Sequence, residues 1–217
     1  MLTKEQLWAS RIDNESAQSN AIAGTIKDRN ILFPKPVIGI DRDGTLLELS
    51  STPINDRSQC IPIPGALEAV ALMRQKGYKV VIIFDQPEIS EGKITTSEVD
   101  NMNTYLFELL GMAGCTSVDG LYYCTSSNKQ DMFSKHNTGM FDRAENELKL
   151  SFRSGGYYVG DSIEDLEVAT KVKATPVLIN TGNYENTIDR LNTFSKRKLR
   201  PKIKQFDTLL DFANWLP

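Results

Sequence analysis

Short apolar runs of strand length alternate along this chain with longer stretches of helical periodicity. The first run, Val37-Ile38-Gly39-Ile40, is apolar throughout, as a strand buried on both faces of a parallel sheet must be. Pro64-Gly65 opens a predicted helix that carries Leu67, Val70, Leu72 and Met73 and closes at Gly77, and Lys79 to Phe84 reads as a second strand. Another helix is predicted from Ser97, with Asp100 three residues on as its capping partner. Val99, Met102, Leu106 and Leu109 mark its buried side, and Gly111 its end. Strands follow at Gly120 to Tyr123, Gly156 to Val159 and Pro176 to Ile179, separated by helices near 140–150 and 163–172. The amphipathic stretch from Asp207 to Leu216 reads as a closing helix that packs back through Leu209, Leu210, Phe212 and Trp215.

Unbroken alternation of this kind predicts an α/β fold, a Rossmann-like doubly wound parallel sheet with right-handed crossovers. Its ligands bind beyond the carboxyl ends of the strands. Residues 1–33 are polar, with Leu7, Ile12, Ile22 and Ile26 at loosely helical spacing before the Pro34-Lys35-Pro36 break. They are expected to form an appended helical arm, and residues 34–217 the main domain. There is no internal repeat.

Composition removes some alternatives. A net charge of -3 is not that of a dedicated nucleic-acid binder. No apolar run approaches the roughly 18 residues of a membrane span, and Lys4, Glu5, Arg11 and Asp13 interrupt the place of a signal peptide's apolar core, so a cytoplasmic location is expected. Cys60, Cys115 and Cys124 are odd in number and unmatched in spacing, which argues against a disulfide framework.

Asp41-Arg42-Asp43-Gly44-Thr45-Leu46 follows directly on the first strand, where an apolar run delivers two carboxylates to the sheet's edge. Two acids so close need a hard cation with oxygen ligands to hold them ionised, and Gly44 allows a tight turn whose amides can face an anion. The same pattern recurs at Val159-Gly160-Asp161-Ser162-Ile163-Glu164-Asp165, about 120 residues later. Acids at a helix start are often only caps, the alternative for Glu164 and Asp165.

Together these segments resemble the haloacid dehalogenase-like (HAD) phosphatases, whose opening motif is Asp-x-Asp-Gly-Thr and whose last is Gly-Asp-x-x-x-Asp. The resemblance implies Asp41 as nucleophile, forming an aspartyl-phosphate, and Asp43 as general acid and base. Mg2+ would be held by Asp41, Asp43, Asp161 and Asp165, the last also orienting the site. It also implies that Lys135, ahead of Gly139-Met140, neutralises aspartate and phosphate charge, and that Gly44, Thr45, Asp85 and Gln86 join it in binding phosphate. A closer likeness, over residues 37–182, is to the capless branch containing the D-glycero-D-manno-heptose 1,7-bisphosphate phosphatases and histidinol-phosphatases. It is carried by Pro64-Gly65-Ala66-Leu67, the segment from Gly77 to Lys93, Gly120-Leu121-Tyr122-Tyr123-Cys124, and Lys135 to Met140. The loops leave no room for a cap domain.

Three departures qualify this. Where the family ends its second strand in a hydroxyl, often Thr-Asn-Gln, this chain has Phe84-Asp85-Gln86. Of the three cysteines and one histidine that form a zinc loop in many members only Cys124 matches; Ser126 and Ser127 stand nearby, His136 follows Lys135, and no zinc is expected. The arginine that commonly precedes the lysine, gripping a second phosphate, is replaced by Ser134. The leading expectation is a Mg2+-dependent phosphomonoesterase for a phosphorylated sugar or other small metabolite. Two others are a nucleic-acid 3'-phosphatase using the basic stretch 196–204, and a degenerate fold kept for binding alone.

Overall fold

The structure is a computed structural model that describes residues 36–193 and 198–217. The expected arm over residues 1–33, and Lys196 and Arg197 of the basic stretch, lie outside the described residues. Six parallel strands form one sheet: β1 Val37–Ile40, β2 Lys79–Asp85, β3 Gly120–Cys124, β4 Tyr157–Gly160, β5 Thr175–Ile179 and β6 Lys204–Phe206. Their order is β3-β2-β1-β4-β5-β6. The chain therefore winds outward from β1 in one direction, returns to its other side, and winds outward again from β4. That reversal leaves a crevice beyond the carboxyl ends of β1 and β4.

The helices are α1 Ala66–Gln75, α2 Thr96–Met112, α3 Gly139–Leu148, α4 Ile163–Lys171, α5 Tyr184–Asn192 and α6 Leu209–Trp215. The two-residue side-chain period of the strands sorts the core into layers. Ile38, Ile40, Val80, Ile82, Phe84, Val159, Val177 and Ile179 pack with α1, α2 and α6. Val37, Val81, Ile83, Tyr122 and Tyr158 pack on the opposite face with α3 and α4. There the rings of Phe141, Phe152 and Tyr158 meet edge to face, with centroids 4.8 and 5.2 Å apart. Gly39 lets them approach, because a Cβ on it would lie 2.7 Å from the Tyr158 ring and 3.0 Å from that of Phe152. Lys76 ties the closing helix to α1 by donating to the carbonyls of Ala213, Asn214 and Leu216 at the end of α6.

Neither insertion point holds a cap domain. Between β1 and α1 the chain forms a small flap, in which Leu47 bridges Asp43 and Pro62, plus a single 3-10 turn at Arg57–Gln59. Between β2 and β3 it forms the turn Pro87–Ile89 and then α2.

Two elements escape the apolar pattern. β6 is an edge strand of three residues, Lys-Gln-Phe, held by backbone pairing to β5 and by one ring, Phe206, packed against Phe212 and Trp215. α5 fully buries only Thr187 and Leu191, and its apolar stripe is short: Tyr184 and Ile188 pack beside Leu191 against Ile163 and Leu166 of α4. A third difference concerns the cap of α2, which is Thr95 and not Ser97. Thr95 Oγ1 accepts from the Glu98 amide at 3.2 Å, and Glu98 Oε2 accepts from the Thr95 amide at 2.7 Å. Ile94 and Val99, both buried, stand at the two flanking positions where apolar residues fix a helix's entry, which selects this register.

Thr95→Ala is accordingly expected to cost about 1 kcal/mol of unfolding free energy in a urea titration. Ser97→Ala, a change inside the first turn, should stay within about 0.5 kcal/mol. The reverse ranking would return the cap to Ser97.

Candidate active site

Asp41 leaves β1 beside the end of β4, its amide donating to the Val159 carbonyl at 2.9 Å and so extending the β1–β4 ladder by one rung. Asp161 leaves β4 next to it. Asp165 stands one helical turn into α4, where Ser162 caps the helix and donates to Asp165 Oδ2 through both amide and hydroxyl. Each of Asp41, Asp161 and Asp165 brings one oxygen to within 4.8 Å of the other two, and all three are buried. The caps-only alternative thus separates two neighbours: Asp165 both caps its helix and faces the cluster, whereas Glu164 turns away to Arg190 at 2.8 Å.

A single ammonium answers this charge. Lys135 Nζ lies 2.9 Å from Asp41 Oδ1 and 2.9 Å from Asp165 Oδ1. Burial alone would lower the lysine's pKa, but Asp165 and Asp41 outweigh it and hold the ammonium well above its ordinary value. Asp41 is pushed up by burial, and the carboxylates of Asp165, Asp161 and Asp43 add to this against the pull of Lys135. Asp161 is raised to about 6, again by burial first and Asp165 second. Asp161 Oδ1 is buried without a hydrogen-bond partner. An orphaned carboxylate oxygen among three converging acids and one lysine is a donor set that fits a hard divalent cation, whose remaining positions water and phosphate oxygens can fill.

The loop after β5 completes the cluster, and no sequence reading anticipated it. Asp161 Oδ2 accepts from the Asn183 amide at 2.6 Å and from its side-chain Nδ2 at 3.1 Å. Gly44 and Gly182 close on the same carboxylate in left-handed backbone conformations, and a Cβ on either would lie within 2.3 Å of Asp161 Oδ2. Thr181 ties the two turns by donating to the Gly44 carbonyl at 2.6 Å. Only the turn composition Asn180-Thr181-Gly182-Asn183, directly after a strand, could have signalled it.

The remaining expected site residues are placed differently from one another. The side chain of Asp43, read as a metal ligand, does not join the three converging carboxylates. Both its oxygens are forked by Arg42, Nε to Oδ1 and NH2 to Oδ2, each at 2.8 Å. The amides of Gly44 and Thr45 point back to the carbonyls of Leu47 and Arg42, at 2.7 and 3.4 Å, so they are spent within the turn. The buried Thr45 hydroxyl has no hydrogen-bond partner. Asp85 accepts from the Lys135 amide at 2.8 Å and from Ser134 Oγ at 3.2 Å, which makes it an anchor for the lysine's loop. Gln86 Oε1 accepts from Arg42, and Phe84 is buried with the Arg42 guanidinium 3.8 Å above its ring centroid. Of the basic stretch, Lys204 is engaged with the Trp215 ring, 4.5 Å from its centroid.

A family model described as HAD-hydrolase-like matches residues 132–209, the span from the Lys135 loop through α6's start. A D-glycero-D-manno-heptose-1,7-bisphosphate 7-phosphatase of Chlorobaculum tepidum is 30% identical over 164 residues, covering 70% of this chain and 82% of the relative. The corresponding protein of Pseudomonas aeruginosa is 32% identical over 152 residues, covering 70% and 84%. Among solved structures, a D,D-heptose 1,7-bisphosphate phosphatase from B. bronchiseptica, complexed with magnesium and phosphate, superposes with a TM-score of 0.74 at 23% identity, covering 83% of this chain and 97% of that one. No helix among the described residues is long and apolar enough to cross a membrane. At 30% and 32% identity over 82% and 84% of those two relatives, the chain belongs to the HAD-like phosphatases, in the capless branch that contains the heptose bisphosphate phosphatases.

Proposed function

We propose that this chain is a Mg2+-dependent phosphomonoesterase for a phosphorylated sugar or similar small metabolite, working through an aspartyl-phosphate on Asp41. The observation that carries the reading is the convergence of Asp41, Asp161 and Asp165, with Lys135 Nζ on two of them and one buried oxygen left unpaired. Mg2+ bound by these carboxylates would supply positive charge to the transferring phosphoryl group. Lys135 holds Asp41 Oδ1 and screens the carboxylate from the incoming phosphate's charge. In the first step an Asp41 oxygen bonds to phosphorus as the ester P–O bond breaks, and Asp43 gives its proton to the departing alkoxide. In the second, Asp43 takes a proton from water as that water attacks phosphorus, which releases inorganic phosphate and regenerates the Asp41 carboxylate.

The relatives' names favour a phosphorylated sugar. Ser134, standing where the branch commonly has an arginine, is buried and gives its hydroxyl to Asp85. That position supplies no positive charge to a second phosphate, which favours a monophosphate substrate.

Asp41→Asn should lower phosphate release by at least about a thousandfold while leaving thermal stability close to that of the parent. Undiminished turnover in that variant would remove the nucleophile. Metal binding should also follow the titration of Asp161. Its carboxyl is raised to about 6, so protons compete with the cation below that pH, and the apparent Mg2+ affinity measured by calorimetry should fall about tenfold per pH unit there. The sign for the metal-free fold is opposite. A raised acid stabilises most below its unfolded pKa and loses that contribution as pH rises through about 6. Mg2+ should therefore raise the melting temperature more at pH 8 than at pH 5, and an equal rise at both would count against Asp161 as a ligand.

A further inference from the structure

The side chain of Arg42 is only 3% exposed, yet the acid it forks, Asp43, two residues beyond Asp41, is 30% exposed. A guanidinium drawn out of water loses much of its hydration, and an ion pair with a half-open partner returns little of that as stability. Here the guanidinium is held on every side. Its carbon lies 3.8 Å over the Phe84 ring centroid. NH1 donates to Asn103 Oδ1 of α2 at 3.2 Å, and NH2 to Gln86 Oε1 at 2.5 Å. Phe84 is itself stacked on Tyr123 at 5.5 Å between centroids, and Tyr123 is anchored by donating to Asp100 Oδ1 at 2.9 Å. A chain of contacts thus runs from α2 through two rings and a guanidinium to both oxygens of Asp43.

We infer that Arg42, seated on Phe84, is a positioning residue that fixes the Asp43 carboxyl for proton transfer to the leaving group. The inference rests on the phosphatase reading above and deepens it. Gln86 and Asn103 keep the fork from rotating, and the flat face of Phe84 sets its height. A bidentate fork leaves a carboxylate one orientation, whereas a point charge such as lysine's ammonium would leave many. The aromatic ring at the end of β2 therefore has a use of its own: where the family carries a hydroxyl, this chain carries the platform for Arg42.

General acid assistance matters most when the leaving group is a poor one. An alkyl phosphate needs Asp43's proton as its bond breaks, while p-nitrophenyl phosphate departs as a stable phenolate with little help. The test is kcat/KM on glycerol phosphate and on p-nitrophenyl phosphate, each with Mg2+, for the parent, Arg42→Met, Arg42→Lys, Phe84→Leu and Asp41→Asn. Arg42→Met is expected to lose roughly tenfold to a hundredfold more on the alkyl than on the aryl ester, a part of the roughly hundredfold to ten-thousandfold that general acids contribute. Arg42→Lys should recover only part of that selectivity, and Phe84→Leu, a change of similar volume that guards against misfolding of the arginine variants, should shift it in the same direction. Equal losses on the two esters in Arg42→Met and in Phe84→Leu would overturn the inference and leave Arg42 a structural residue. Failure of the underlying reading looks different: full turnover in Asp41→Asn, or a parent inert toward both esters, removes the phosphatase mechanism and the positioning role with it.

Discussion

Three carboxylates face one ammonium in a space where water is largely excluded, and this imbalance organises the crevice. Like charges within a few ångströms repel strongly when little solvent separates them. Asp41, Asp161 and Asp165 can stay together only because each is restrained separately: by the β1–β4 ladder, by Asn183 and by Ser162. Lys135 neutralises part of the charge and is in turn anchored through its amide to Asp85. What is left over is an oxygen of Asp161 with nothing to bind, and a net negative charge that a divalent cation would offset.

The two acids of the opening motif are separated by environment although only one residue lies between them. Asp41 is enclosed and paired with a lysine, whereas Asp43 is partly open and forked by an arginine. Asp41 stands directly at the strand's end and Asp43 in the turn that follows it, so their side chains meet different partners, and different partners suit different tasks. The proposed nucleophile needs a fixed, screened oxygen. The proposed proton carrier needs contact with the leaving group and so must remain at the crevice's mouth. The absence of an inserted cap leaves that mouth to the flap after β1 and the Lys135 loop, the two segments nearest in sequence to the reacting groups.

Departures from the family pattern are connected rather than scattered. Asp85 and Ser134 hydrogen-bond each other, so the acid at the strand's end and the lost arginine are one local rearrangement around Lys135. Phe84 and Arg42 form a second, around Asp43. Each gives the polar groups it involves a partner, which is how a changed residue at a sheet's edge is tolerated in a core packed this closely.

By itself the sequence determined the fold class and five of the six strands, because a buried parallel strand must be apolar on both faces and leaves an unbroken run such as Val37 to Ile40. It marked Asp41 and Asp161 as residues to watch for the same reason, since strand ends in such sheets deliver side chains to one edge, whereas Lys135 came only from the resemblance to the family. It left β6 and α5 unplaced, the one only three residues long and the other carrying a stripe of just Tyr184, Ile188 and Leu191, and it could not choose Thr95 among three adjacent hydroxyl residues. Only the tertiary structure decided that Asp43 turns to Arg42 instead of to the acid cluster, and that Asp85 anchors a loop. Only it, too, brought Asn183 beside Asp161, 22 positions apart in the chain. Those choices depend on which groups meet across the sheet order, and hydrogen bonds between residues distant in sequence leave no periodic trace in it.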